Sequence, residues 1–177
     1  MQLPYIYIHL LARGFDPSKY DVSIDEVNGS ATFLLWNRLG QLVGYQRYTP
    51  RYPKKGVKDP SRLAYFTWAS KPNHTIWGWE YVDANASTLY LTEGIFDAIK
   101  LHNAGKYAIA LLGNAGSTSV RQYLRALPYK LVAICDNDSA GKELAKAADL
   151  WYTVPSGVKD LGEMDQTEVN EWLPTIT

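Results

Sequence analysis

Residues 88–97 read TLYLTEGIFD: an apolar run ends on Glu93, Gly94 permits a tight turn, and a second carboxylate, Asp97, opens an amphipathic segment. The same grammar recurs twice downstream. LVAIC at 131–135 runs into Asp136, Asn137 and Asp138, and WYTV at 151–154 precedes Asp160 and Glu163. Between these runs the period changes, which predicts strands at 89–92, 107–112, 130–135 and 151–154 and helices at 95–103, 118–126, 139–149 and 165–173. Strands alternating with helical segments of this length imply βαβ crossovers, hence an α/β fold with a mostly parallel sheet flanked by helices. Ligands of such sheets sit beyond the carboxyl ends of the strands, which is where the acidic residues fall.

The first half follows different rules. Residues 5–12 suit a short helix stopped at Gly14. Residues 15–28 read as irregular, and 32–36 and 42–48 form a β-hairpin around Asn37-Arg38-Leu39-Gly40. Residues 49–59, with Pro50, Pro53, Gly56 and three lysines, make a basic loop. We therefore expect a small mixed α+β subdomain over 1–87 and the α/β domain over 88–177. Tyr65, Phe66, Trp68, Trp77, Trp79 and Tyr81 crowd the join between them. They are read first as core or seam packing, the alternative being a set of rings for stacking on bases.

Charge is balanced at 18 basic and 18 acidic residues, but it is unevenly spread. Arg38, Arg47, Arg51, Lys54, Lys55, Lys58 and Arg62 face the lone acid Asp59 between 38 and 62, whereas the end of the chain is acidic. That split suits a protein that holds phosphates with one part and metal ions with another. The single cysteine, Cys135, excludes a disulfide framework and a cysteine zinc site, and it is read as core packing in a reducing cytoplasm. No apolar run reaches the ~18–20 residues of a membrane helix, and the N-terminus lacks a signal-peptide pattern, so no membrane partner is expected.

Carboxylates gathered on one edge need a cation, because two unit charges 4 Å apart repel by about 4 kcal/mol at an effective dielectric of 20. Glu93 and Asp97 can face one crevice, and Asp136 and Asp138, on alternate residues leaving a strand, can lean toward one ion. With oxygen donors and no converging His or Cys, the expected ion is Mg2+, or Mn2+ in its place. Asp138 or Ser139 could instead serve only as a helix cap.

Taken together these motifs resemble a Toprim domain, the metal-binding module of bacterial-type primases, topoisomerases and several nucleases. Thr92 to Asp97 resembles its glutamate motif, Leu112-Gly113 its central glycine, and Asp136-Asn137-Asp138 with Gly141 its Asp-x-Asp motif. Lys159-Asp160-Leu161-Gly162-Glu163 is similar to the Lys-Asp-x-Asn-Glu signature of phage and plasmid primases, with Gly162 in the place of Asn. Upstream, residues 10–15 (LLARGF) and 37–47 (NRLGQLVGYQR) resemble the opening helix and hairpin of the primase RNA-polymerase core, and Trp77-Gly78-Trp79 falls where primases carry a Tyr-Gly segment. The resemblance implies RNA primer synthesis on single-stranded DNA from ribonucleoside triphosphates, in phage or mobile-element replication. It implies Glu93, Asp136 and Asp138 as catalytic residues and Glu93, Asp97, Asp136, Asp138 and Asp160 as metal ligands. Arg38, Arg47, Arg51, Lys54, Lys55, Lys58, Lys142 and Lys159 are the candidates for phosphates of template or nucleotide. Such primases begin with a zinc-binding domain that one cysteine cannot supply, so a separate zinc-binding protein or a replicative helicase is an expected partner. A Toprim nuclease and a non-catalytic replisome protein are the alternative readings.

Overall fold

The computed structural model describes residues 3–71 and 75–176. Helix α1 (Tyr5–Ala12) ends as expected, Gly14 adopting φ +77° just beyond it. Four strands follow, β1 (Val22–Asp25), β2 (Ser30–Trp36), β3 (Leu42–Tyr48) and β4 (Tyr65–Ala69), as one antiparallel sheet in the order β1-β2-β3-β4. The β2–β3 turn is built by Asn37, whose Oδ1 accepts from the backbone N–H groups of Leu39 and Gln41 at 2.9 and 3.0 Å. Strand β1 lies inside the stretch read as irregular. Four residues give too little alternation to register, and the strand is held by its pairing with β2, Val22 opposite Phe33 and Asp25 opposite Ser30.

The second sheet has β5 (Thr88–Thr92), β6 (Ala108–Ala110), β7 (Lys130–Cys135) and β8 (Leu150–Thr153), all parallel in the order β6-β5-β7-β8. Helices α2 (Ile95–Asn103), α3 (Thr118–Arg125), α4 (Ser139–Ala145) and α5 (Gln166–Trp172) connect or follow the strands. This is the predicted α/β alternation. Helix α4 stops four residues short of expectation, because the chain turns at Ala147 and Ala148 so that the Asp149 carboxylate accepts from the Leu131 N–H at 2.8 Å.

Two apolar clusters hold the layers. On one face of the parallel sheet Leu89, Leu91, Ile109, Val120, Leu124, Leu131 and Leu144 are buried, with Cys135 among them as expected. The other cluster is continuous across both halves of the chain. Ile6, Leu10, Phe15, Phe33 and Tyr48 meet Phe96 and Ile99 of α2, with ring centroids of Phe33 and Tyr48 6.0 and 5.1 Å from that of Phe96. Each such side chain contributes about 1.5–3 kcal/mol when fully buried, so this seam fixes how the two sheets face each other. Trp77 completes it. Its side chain is fully buried, and its backbone forms an antiparallel bridge with Ala110 on the outer edge of β6. For Trp77 the seam reading of the aromatic cluster holds, while Trp79 is core packing in the first cluster. Among the described residues no helix is long and apolar enough to cross a membrane.

Gly44 marks a close approach of β3 and β4, where a Cβ would lie 2.3 Å from the Trp68 carbonyl oxygen. Gly44→Ala should cost about 1–3 kcal/mol, the range for overpacking, read as a lower melting temperature at unchanged far-UV circular dichroism.

Candidate active site

Strand β5 delivers Glu93 to the carboxyl edge, and the turn after it is pinned from within. The buried Thr92 hydroxyl donates to the Gly94 carbonyl at 3.0 Å. Gly94 caps α2, and Asp97 folds back so that its Oδ2 accepts from the Gly94 N–H at 3.1 Å. The other oxygen of Asp97 accepts from the Gly162 N–H at 2.7 Å, across 65 residues. Asp97 thus has both oxygens engaged by backbone, and its place is to fasten the loop that carries Asp160. Gly162 is fitted to that position, since a Cβ there would sit 3.0 Å from both Asp97 Oδ1 and the Arg13 guanidinium.

Beside β5, the end of β6 contributes a tight turn, with Leu112 at φ +48° and Gly113 at φ +79°. A leucine in the left-handed region is uncommon, and here the Leu112 N–H is held by the Glu93 carbonyl at 2.9 Å. Strand β7 delivers Asp136. Asn137 turns away and donates to the Val158 carbonyl at 2.9 Å, anchoring the loop after β8. Asp138 is the N-cap of α4, its Oδ1 accepting from the N–H groups of Ala140 and Gly141. The capping role weighed for Asp138 is therefore real, and its second oxygen has no such bond. Gly141 lets α4 start against the strand, where a Cβ would lie 2.2 Å from the Asp136 carbonyl oxygen.

Glu93, Asp97, Asp136 and Asp160 line one crevice of about 400 Å3 between the two sheets, with Asp138 close enough to repel Glu93 and Asp136. Burial is the first cause of the carboxylates' raised affinity for protons, and their mutual repulsion is the second. Glu93 is pushed up to about 7, and Asp136 to about 8. Glu93 Oε1 and Asp160 Oδ1 are buried without a hydrogen-bond partner. Those oxygens and that repulsion fit a divalent cation. Among the described residues no three acidic, His or Cys groups converge as a complete ligand set. Mg2+, which binds through one or two carboxylates and keeps its waters for substrate phosphates, suits such a site better than Zn2+. One or two of Glu93, Asp136, Asp138 and Asp160 would hold it.

The opposite wall comes from the first half of the chain. Gln46, Tyr65 and Thr67 face the carboxylates, with Arg13 above Phe96 at 3.8 Å and donating to the Tyr65 hydroxyl at 2.9 Å. Of the basic candidates, Lys54 and Lys159 line the crevice, Lys159 paired with Asp160 at 3.1 Å. Lys142 lies outside it, in an adjoining groove of about 790 Å3 on the far side of Asp136 and Asp138. Arg38 instead lies over the rings of Trp79 and Tyr129, Arg51 lies over Tyr5, and Arg47 points to the opposite face of its sheet; Lys55 and Lys58 are exposed on the basic loop. Arg13 was not among the sequence-derived candidates. Its signal was its place before Gly14, where the helix end turns the side chain toward the seam.

Residues 90–159, which run from within β5 to beyond β8, match a family model described as Toprim-like. The chain as a whole has the fold of bacterial-type primase catalytic cores. It is similar to the RNA polymerase domain of Mycobacterium tuberculosis primase (TM-score 0.64, 17% identity, 96% of this chain and 61% of that one). It is also similar to the primase fragment of the bacteriophage T7 primase-helicase (0.63, 15%, 95% and 68%). A third likeness is to the zinc-binding and RNA polymerase domains of the Aquifex aeolicus primase (0.61, 19%, 82% and 39%). The chain thus spans 39% to 68% of the length of these structures. A search of curated protein sequences returned no match.

Raised carboxylate pKa values mean that the folded state holds protons the unfolded chain has released, so stability falls as pH climbs from about 4 toward 8. In EDTA the wild type should melt progressively lower between pH 5 and pH 8. Asp136→Asn should flatten that slope and melt about 2–4 °C higher at pH 8 for each kcal/mol relieved. Mg2+ should raise the melting temperature of the wild type more than that of the variant, as differential scanning fluorimetry would read.

Proposed function

We propose that this chain is a metal-dependent primase core that synthesises short RNA primers on single-stranded DNA, with subdomains over 1–87 and 88–177. The observation that carries the reading is the crevice itself, in which carboxylates with unpartnered buried oxygens face a fixed guanidinium, Arg13, across a cleft between two sheets. A divalent ion held there would lower the charge on the attacking 3′-oxygen and on the departing pyrophosphate. Glu93, Asp136 and Asp138 hold the reacting end, and Asp160 closes the site from the loop that Asp97 fastens. Arg13, Lys54 and Lys159 bind and orient the nucleotide phosphates. Gln46 and Thr67, linked at 2.8 Å, present polar groups to the sugar or base. Lys142 extends the phosphate track beyond Asp138.

The likeness to a primase catalytic domain described as bound to single-stranded DNA supports the choice of template. The likeness to a phage primase-helicase fragment supports a phage or mobile-element setting and a replicative helicase as partner. A separate zinc-binding protein for template recognition is supported by the zinc-binding domain of the Aquifex structure.

The test is incubation with circular single-stranded DNA, labelled ribonucleotides and Mg2+ or Mn2+. Template-dependent RNA from the wild type, lost in Glu93→Gln and Asp136→Asn, is the expected result. Circle cleavage without nucleotides would identify a nuclease instead. Arg13→Ala should lower primer yield about tenfold or more, the loss of one charge-assisted contact of ~1.5–3 kcal/mol, with Arg13→Lys recovering only part because a point charge replaces a planar fork.

A further inference from the structure

The aromatic cluster is divided between the two faces of the antiparallel sheet. Gly44, Gln46 and Tyr48 of β3 look inward to the seam and the crevice, so Tyr45 and Arg47 look outward. Register places Leu34, Tyr45 and Trp68 in one row across β2, β3 and β4, and Thr32, Arg47 and Phe66 in the next. The rings form a contiguous patch. Tyr45 and Trp68 are near-parallel with centroids 6.0 Å apart, Tyr45 and Phe66 lie at 6.2 Å, and the Arg47 guanidinium sits 5.4 Å above Phe66. Tyr45 and Phe66 are half-buried and Trp68 is 53% exposed.

The border of the patch is cationic. Arg47 donates to the Ser61 carbonyl, which ties the patch to the end of the basic loop, and its buried Nε has no hydrogen-bond partner. The loop brings Arg51, Lys54, Lys55, Lys58 and Arg62, with only Arg62 paired to Asp59, at 3.9 Å. Lys54 reaches from that loop into the crevice, so patch, loop and crevice are joined by one run of positive charge. An apolar protein surface would meet this border as unpaired charge. A chain that alternates flat rings with phosphates meets both parts.

We infer that the outer face of the antiparallel sheet is a stacking platform for single-stranded DNA: Trp68 and Tyr45 receive bases while Arg47 and the basic loop follow the backbone toward the crevice. Sheet surfaces bind single strands through exposed aromatics in this manner, and the base–aromatic stacking itself depends little on sequence. The inference rests on the reading that the crevice works on single-stranded DNA, and it assigns where the strand outside the crevice lies.

The experiment is fluorescence anisotropy of a labelled 20-nucleotide oligo-dT with the full chain, in EDTA and without nucleotides, so that no catalytic step enters. Tyr45→Ala/Trp68→Ala should weaken binding about tenfold or more while leaving the salt dependence unchanged, and Trp68→Phe should keep most of the affinity. Lys54→Ala/Lys55→Ala/Lys58→Ala should flatten the salt dependence instead. Because no nucleotide or metal is present, failure of primer synthesis would leave this readout intact. Unchanged affinity in the aromatic double variant overturns the proposal, as does no binding by the wild type. An equal loss on duplex DNA, or a loss confined to oligo-rU, also overturns it. If sedimentation shows a wild-type dimer that the double variant abolishes at unchanged DNA affinity, the face is a contact between copies and the proposal fails.

Discussion

The Asp97 carboxylate is the constraint on which the site depends. One oxygen closes the turn after β5 and the other holds Gly162, so a single side chain sets the distance between the strand that bears Glu93 and the loop that bears Asp160. The carboxylate is buried, its proton affinity raised to about 6, first by burial and then by Asp160. It accepts two backbone N–H bonds in return, and removing it would orphan both donors in a confined space. Charge repulsion is thus built into the arrangement twice, once in the residues that face the crevice and once in the residue that assembles them.

A protein that collects acidic groups loses stability in proportion to their repulsion and recovers it by binding a cation to the folded state. The rest of the fold supplies the margin. The seam of Phe15, Phe33, Tyr48 and Phe96 lies beneath the crevice, Phe96 carries Arg13 on its face, and the same ring is part of α2, the helix that Asp97 begins. Packing, cation placement and carboxylate placement therefore converge on one turn of one helix.

The α/β half was legible in the sequence because parallel strands buried on both faces give continuous apolar runs, and the runs of β5, β6 and β7 end on Gly or an acid. Strand β7 is found where LVAIC predicted it, and α2 has its predicted ends. The antiparallel half was legible where a stop or a turn announced itself, at Gly14 after α1 and at Asn37 to Gly40 in the hairpin. Strand β1 and the early end of α4 are tertiary effects: the first depends on pairing with β2, the second on a bond between Asp149 and Leu131. The acidic residues of the crevice could be named from their spacing, whereas Arg13, Gln46 and Thr67 come from a distant part of the chain whose facing direction no local pattern encodes. The basic candidates divided for a related reason. Alternation along β3 sends Arg47 outward beside a neighbour, Gln46, that points in.

Trp77 belongs by sequence to the segment between the sheets, yet its backbone pairs with Ala110 and thereby covers the outer edge of β6. Exposed edges are templates for strand addition, and β6 is short and wholly buried. A fragment cut at residue 88 would present that edge, together with the hollow left by a fully buried indole, to any other chain. The boundary at which this protein can be shortened without becoming adhesive therefore lies upstream of residue 75, not where the parallel sheet begins.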